Sequence, residues 1–431
     1  MRRALWLLAV LCVVGCSSGK KTEQAEATPA ATPLGAGVTT ETKPLIELAN
    51  QLILKREFAK AFEQLNAALK LDPKCSAAYF MRAGIYADAN QDTRALVDFN
   101  TAVELEPVNA DFHNARGFFL LTRQKYPAAI HDFSNAIRLS PTHSQACNNR
   151  GMARVALGQF KEAVADFTEA LKLSPRNHDA YNNRGFAYFQ AGDSENALLD
   201  FNSALRLSPD YLNAFNNKGL LYYKAEKYEA AAAEFTAAIQ RDKQNPKYYR
   251  QRREAHLKAG KEAEARADLV KINWLQDLAR LNQIAARSQK DPEVWVQRAN
   301  HLLDGDEFES AAQDFQYVLK LNPKSAAAHV GLAHLHLKQD HTDQALAECD
   351  QAAKLGALSE AASIRGDICL KLDKLDEAIA AYTAAQRFDA QVAGAYLLRS
   401  KQREAQGQAQ AAAEDYRQAV ALDPALEGAR Q

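Results

Sequence analysis

The sequence predicts an all-α solenoid, a stack of about eleven helix-turn-helix units, and three observations carry that prediction. Pro73, Pro107, Pro141, Pro175 and Pro209 recur at a strict interval of 34 residues. A fixed period of that length marks stacked units that bury their cores only against neighbours. Small residues recur in register with the prolines, with a large ring between them. The composition agrees: the 431 residues are rich in Ala, Leu, Gln, Glu, Lys and Arg and hold only 19 Gly and 13 Pro, a mixture that favours helix throughout.

In chain order, residues 1–15 read as a lipoprotein signal peptide. Arg2 and Arg3 precede an apolar stretch from Ala4 to Val14 that is too short to cross a bilayer alone. It runs into Val13, Val14, Gly15 and Cys16, a tetrapeptide that resembles the bacterial lipobox. The resemblance implies a diacylglycerol on Cys16 and a lipid-anchored protein of the bacterial cell envelope, each buried methylene contributing roughly 0.8 kcal/mol. Ser17 stands where an inner-membrane retention signal would place Asp, which points to the periplasmic face of the outer membrane. Residues 16–41 are mostly Ala, Thr, Pro, Glu, Lys and Gly and cannot bury a core. They are expected to form a lipidated, disordered tether with a span on the order of 30 Å.

Repeats one to seven occupy 42–279. With the prolines at position 32 of each unit, position 8 is Ala49, Ala83, Gly117, Gly151, Gly185 and Gly219. Position 20 is Ala61, Ala95, Ala129, Ala163, Ala197 and Ala231, and position 27 is Ala68, Ala102, Ala136, Ala170, Ala204 and Ala238. Position 24 is Leu65, then Phe99, Phe133, Phe167, Phe201 and Phe235. Small residues let two helices approach, the ring fills the space between them, and proline stops the second helix. This pattern resembles the tetratricopeptide repeat (TPR) family, over nearly everything after Lys43; the resemblance implies a right-handed superhelix whose concave side binds extended peptide segments.

Repeat seven departs from the pattern, with bulky Arg253 at position 8. No Pro or Gly interrupts Lys261 to Gln289, so one helix of roughly 40 Å is expected to run on, making 280–291 a helical joint. Repeats eight to eleven follow over 292–426, with a single-residue deletion near Ser359 and a short tail at 427–431. Position 7 is Arg82, Arg116, Arg150, Arg184, Lys218, Arg252, Arg298, Arg365 and Arg399, while position 23 is Asp98, Asp132, Asp166, Asp200, Glu234, Asp268, Asp314 and Asp415. Where the base becomes Lys the acid becomes Glu, so the two groups are expected to meet, within a repeat or across to its neighbour. Arg365 opposite Ala381 and Leu332 opposite Glu348 are exceptions.

Helical geometry puts positions 4, 8 and 11 on one face and positions 5, 9 and 12 on a second, roughly 100° away. The second carries Asn114, Asn148, Asn182 and Asn216 at position 5, followed by Asn149, Asn183 and Asn217 at position 6. Paired mid-helix Asn is not explained by propensity. Beside it lie Phe118, Met152, Phe186 and Leu220 at position 9 and Leu121, Val155, Phe189 and Tyr223 at position 12. Sugar-transferring enzymes with long TPR arrays display a similar ladder, a resemblance that implies backbone binding by the amides. In a second arrangement the Asn residues bond one another and the apolar side chains pack between successive first helices. Both arrangements fit the sequence. In repeats ten and eleven the same face is Ser363, Asp367 and Leu370, then Leu397, Lys401 and Glu404, a more polar surface.

Catalytic signatures are missing from the sequence: it has no Gly-rich phosphate loop, nucleophile elbow or HExxH. His329 and His336 share a helix face near Cys349, yet they stand at packing positions, so neither a metal nor any other cofactor is expected. Cys349 and Cys369 are the two thiols that the repeat register brings near each other, and small-residue packing is the expectation there. Lys plus Arg equals Asp plus Glu at 53 each, which leaves no field drawing the chain to nucleic acid. The expected function is a non-enzymatic scaffold or adaptor that holds protein segments beside a membrane. TPR lipoproteins of this kind resemble adaptors for cell-wall enzymes, pilus or secretion pilots and export scaffolds. A self-assembling structural subunit, associating through the last repeat, is the other reading.

Overall fold

The computed structural model describes residues 37–428. The predicted leader and Cys16 lie outside that range. The described residues form twenty-two α-helices and one short 3-10 turn, with no strand among them. Two compact units divide the chain, one ending at Leu269 and the other beginning at Val270.

In the first unit the helices alternate as the sequence predicts. Repeat four is typical, with Ser144–Ala156 packed on Phe160–Leu173 and the latter packed on the first helix of repeat five, His178–Ala191. In repeats three to six the approach at position 8 is close enough to favour glycine: a Cβ on Gly151 would lie 2.7 Å from the Phe167 ring, and one on Gly219 would lie 2.5 Å from Phe235. Phe133, Phe167 and Phe201 are fully buried in these spaces, each contributing on the order of 2–3 kcal/mol. Repeat seven breaks the rule on both sides. Arg253 turns outward to Glu254, and Leu269 at the ring position is 40% exposed.

The turn within every repeat is built alike. Position 15 has positive φ in all eleven repeats: Arg56, Asn90, Gln124, Gly158, Gly192, Glu226, Gly260, Asp306, Asp340, Asp373 and Gly407. The next amide then bonds back five residues, as in Gln91 N–H to the Tyr86 carbonyl at 2.8 Å and Lys125 N–H to the Leu120 carbonyl at 2.8 Å. This is a Schellman closure, which satisfies the carbonyls left over at a helix end.

Position 7 and position 23 meet within the same repeat. Arg82 donates through Nε and Nη2 to the two Asp98 carboxylate oxygens at 2.7 and 2.9 Å, and Arg184 does the same to Asp200. Lys218 pairs with Glu234 at 2.8 Å, so the concerted change of base and acid preserves the contact. The remaining guanidinium nitrogen reaches the previous repeat: Arg82 Nη1 to Asn66, Arg116 Nη1 to Asn100, Arg150 Nη1 to Ser134. One side chain therefore ties three helices together. Its hydrogen bond to Asp98, outweighing burial, lifts the Arg82 guanidinium further above its ordinary value.

The second unit contains the end of the long helix Glu262–Arg287, which runs unbroken as the lack of Pro and Gly predicts. Trp274 and His301 lock to each other: Trp274 Nε1 donates to the His301 carbonyl at 2.9 Å, His301 Nε2 lies 2.8 Å from the Trp274 carbonyl, and the rings stack. Arg298–Asp314 and Arg399–Asp415 keep the bidentate pair. Both exceptions find other partners. Glu348 accepts from His329 Nδ1 at 2.6 Å, and Arg365 turns to Asp350 on the surface. The turn Pro424–Leu426 packs on Ala409–Leu422, held by Tyr416, whose hydroxyl donates to the Leu426 carbonyl and accepts from Gly428 N–H.

Candidate functional site

First helices of successive repeats touch along the first unit: Ala110–Thr122 against Ser144–Ala156, then His178–Ala191, then Leu212–Lys224. Their shared edge carries the amides. Asn149 Nδ2 donates to Asn114 Oδ1 at 3.1 Å, Asn183 to Asn148 at 3.3 Å, and Asn217 to Asn182 at 2.9 Å. Position 6 of one repeat thus bonds position 5 of the repeat before. Asn148 is half-buried; the other six amides are buried. Paired Asn in mid-helix has its explanation here, since a buried amide with a partner outweighs a weak helix propensity.

The apolar strip divides in the same way. Phe186 is 2% exposed, and Leu121, Val155 and Phe189 are likewise buried between helices. Phe118, Met152, Leu220 and Tyr223 are half-exposed. The solvent-facing part of the strip is therefore a row of spaced apolar side chains over a rigid, amide-bonded floor. Burial, with Glu254 and Tyr228 behind it, pushes the Tyr223 hydroxyl up, so it stays a neutral donor at physiological pH. Lys224 lays its ammonium 4.9 Å from the Phe189 ring centroid, a cation–π contact across the row.

Sequence reading missed how position 4 is used. His113 Nε2 lies 3.0 Å from the Pro107 carbonyl, Tyr249 hydroxyl donates to Lys243 at 3.1 Å, and Trp295 Nε1 donates to Gln289 at 2.9 Å. Each ring holds the carbonyl six residues back and fixes the inter-repeat turn. The signal was an aromatic residue or His at position 4 of most repeats, eight residues after the preceding second helix ends in these three cases. Among the described residues no group of three or more His, Cys, Asp or Glu is placed to hold a metal ion. Cys349 and Cys369 are free thiols, so no disulfide joins them. No described helix is long and apolar enough to cross a membrane.

Models described as tetratricopeptide repeat match residues 47–100, 148–211 and 216–271, then 302–368, then 360–392, more than half of the chain together. The chain belongs to the tetratricopeptide repeat family. Among solved structures, this TPR chain is similar to YrrB, described as a TPR protein with an unusual peptide-binding site, at 26% identity and TM-score 0.35 over 40% of this chain and 88% of that one. It is similar to PilW, a type IV pilus biogenesis factor, at 22% identity and TM-score 0.45 over 48% and 94%. MamA is similar at 21% identity and TM-score 0.36 over 39% and 92%. A comparison with curated proteins returns no match.

Proposed function

We propose that this TPR chain is a membrane-anchored scaffold or adaptor lipoprotein of the bacterial envelope. It holds extended segments of other envelope proteins along the first-helix face of repeats three to six, in the assembly of cell wall, pilus or secretion machinery. The observation that carries the reading is the set of Phe118, Met152, Leu220 and Tyr223, half-exposed in repeats three, four and six on a floor fixed by amide bonds, with Phe186 of repeat five buried. A pre-organised apolar row takes a partner's side chains without first ordering itself. The buried amides act in this reading by setting the spacing of the row, and Asn148, half-exposed, is the one amide placed to reach a bound backbone. No catalytic step is assigned, because a scaffold role uses surface alone.

Anchoring rests on Val13 to Cys16. Replacing Cys16 with Ser should move the protein from the membrane fraction to the soluble fraction; retention at the membrane refutes the lipid anchor. For the face, a photo-crosslinking residue at Phe118 or Met152 should give adducts in living cells, while one at exposed Lys161 on a second helix should not. Equal adducts from all three positions refute the assignment of the face. The self-assembling reading predicts multimers of the lipid-free chain in light scattering, and a monomer removes it.

A further inference from the structure

The amide row changes character at its last member. Position 5 reads Asn114, Asn148, Asn182, Asn216 and then Arg250. Asn114, Asn182 and Asn216 are turned into the helix packing and Asn148 is half-buried, whereas Arg250 is exposed and has no acidic partner among the described residues. Position 13 changes in step, from Thr122, Ala156 and Gln190 to exposed Lys224 and exposed Lys258, the latter also without an acidic partner among the described residues. Between them in the sequence, Leu257 is 43% exposed at position 12, where the equivalent Leu121, Val155 and Phe189 are buried. Glu254 lies on the same helix, but its charge is taken by Arg253 at 2.9 Å.

The row also stops short of closing. By the pattern of the earlier repeats, Gln251 should donate to Asn216; instead Asn216 Nδ2 donates to Asn217 at 3.3 Å, and both Asn216 Oδ1 and Gln251 Oε1 are buried without a partner. Asn216 is 1% exposed. A buried acceptor left unbonded costs stability, so the amide ladder ends between repeats six and seven instead of running on.

We propose that repeats six and seven bind a short acidic segment of a partner protein, with carboxylates on Arg250 and Lys258 and an apolar side chain on Leu257. The proposal rests on the reading of the first-helix face as a segment-binding surface and adds the chemistry of what is bound. Eight residues of helix separate the two cations, about 12 Å along the axis. An extended chain covers that length in three to four residues. The preferred segment therefore carries two acidic residues three or four apart with a large apolar residue between them. Lys224 supplies a third cation beside the row. A lipid surface fits less well, because Leu257 is the only large exposed apolar residue of helix Pro246–Lys258, far short of the face an interfacial helix needs. Single-stranded nucleic acid stacks on open aromatics, and Tyr248 and Tyr249 of this helix are buried.

The test uses the full chain and three fluorescent ten-residue peptides in anisotropy titrations. One carries the acid, apolar, acid pattern; the second has Asn and Gln in place of the acids; the third has Lys. The acidic peptide should bind about tenfold tighter than the amide peptide, with the margin shrinking as salt rises. The double variant Arg250→Glu with Lys258→Glu should abolish that margin and favour the Lys peptide, with the melting temperature unchanged because both side chains are exposed. If acidic and amide peptides bind equally and the variant changes neither, the acidic preference is wrong while segment binding stands. If no peptide binds, segment binding fails and takes this proposal with it. Phosphatidylglycerol vesicles or an oligo-dT strand that bind as tightly as the acidic peptide, and lose binding in the same variant, overturn the proposal in favour of a general anion surface.

Discussion

A residue that ties three helices is expected to matter more than its surface location suggests. Asp200 is buried and receives two hydrogen bonds from Arg184, whose third nitrogen holds Thr168 in the preceding repeat. Asp200→Ala leaves the guanidinium inside without its counter-charge, and removing one partner of such a pair costs about 2–4 kcal/mol. Replacing both partners with apolar residues of similar size, Arg184→Met with Asp200→Leu, should cost clearly less. Urea unfolding of the three proteins distinguishes a register device from a net stabiliser, and equal losses for single and double variants would argue that the pair itself stabilises. The amide floor gives a second expectation at this scale. Asn183→Ala removes a buried bond to Asn148 and should lower stability by about 1 kcal/mol. An unchanged melting temperature would mean that the amides are not holding the first helices together.

Elements differ in how well they were legible in the sequence. The prolines, the small residues at position 8 and the base and acid at positions 7 and 23 recur at fixed positions, so a single chain shows each of them several times over, and Lys218 with Glu234 changes both together. The left-handed residue at position 15 was not legible, because Arg56, Gln124 and Glu226 occupy it as well as glycine. The partner of each Asn was not legible either: it lies 35 residues away on another helix, and the angle between successive repeats decides which amides meet. The same logic locates the weakest elements. Repeat nine has Cys349 where most repeats place a ring and repeats one and seven a leucine, and neither it nor repeat ten has the position 7 to position 23 pair. Burial pushes the Cys349 thiol up to about 11, so it stays a neutral packing group. Loss of a ring and a pair amounts to a few kcal/mol, and local opening follows the least stabilised segment. Amide hydrogen exchange in Thr342–Lys354 should therefore run about tenfold or more faster than in Phe308–Leu321, and Cys349→Phe should slow it only if the space at Ala333 opens to admit the ring. Equal exchange in the two helices would show that packing around Cys349 compensates fully.

At the scale of the whole molecule, a solenoid's stability is close to a sum of repeat and neighbour contributions. Six successive repeats of the first unit, from Arg82–Asp98 to Arg252–Asp268, hold the buried base–acid pair. In the second unit only Arg298–Asp314 and Arg399–Asp415 do, among the described residues. The second unit should therefore unfold at lower denaturant. The sequence supplies the probe to see it, because its three tryptophans are Trp6, Trp274 and Trp295. In a chain lacking the first fifteen residues, tryptophan emission reports the second unit alone: Trp274 is stacked on His301, and Trp295 lies against Arg298 and Tyr317. Circular dichroism reports helices of both units. The expected result is a urea midpoint by tryptophan emission below the midpoint by circular dichroism, which is the signature of an unfolding that is not two-state. Leu332→Arg with Glu348→Asp rebuilds the missing pair in repeat nine and should draw the two midpoints together. Coincident transitions in the unaltered chain would mean that cooperativity passes through the long helix Glu262–Arg287 as strongly as it does through any repeat.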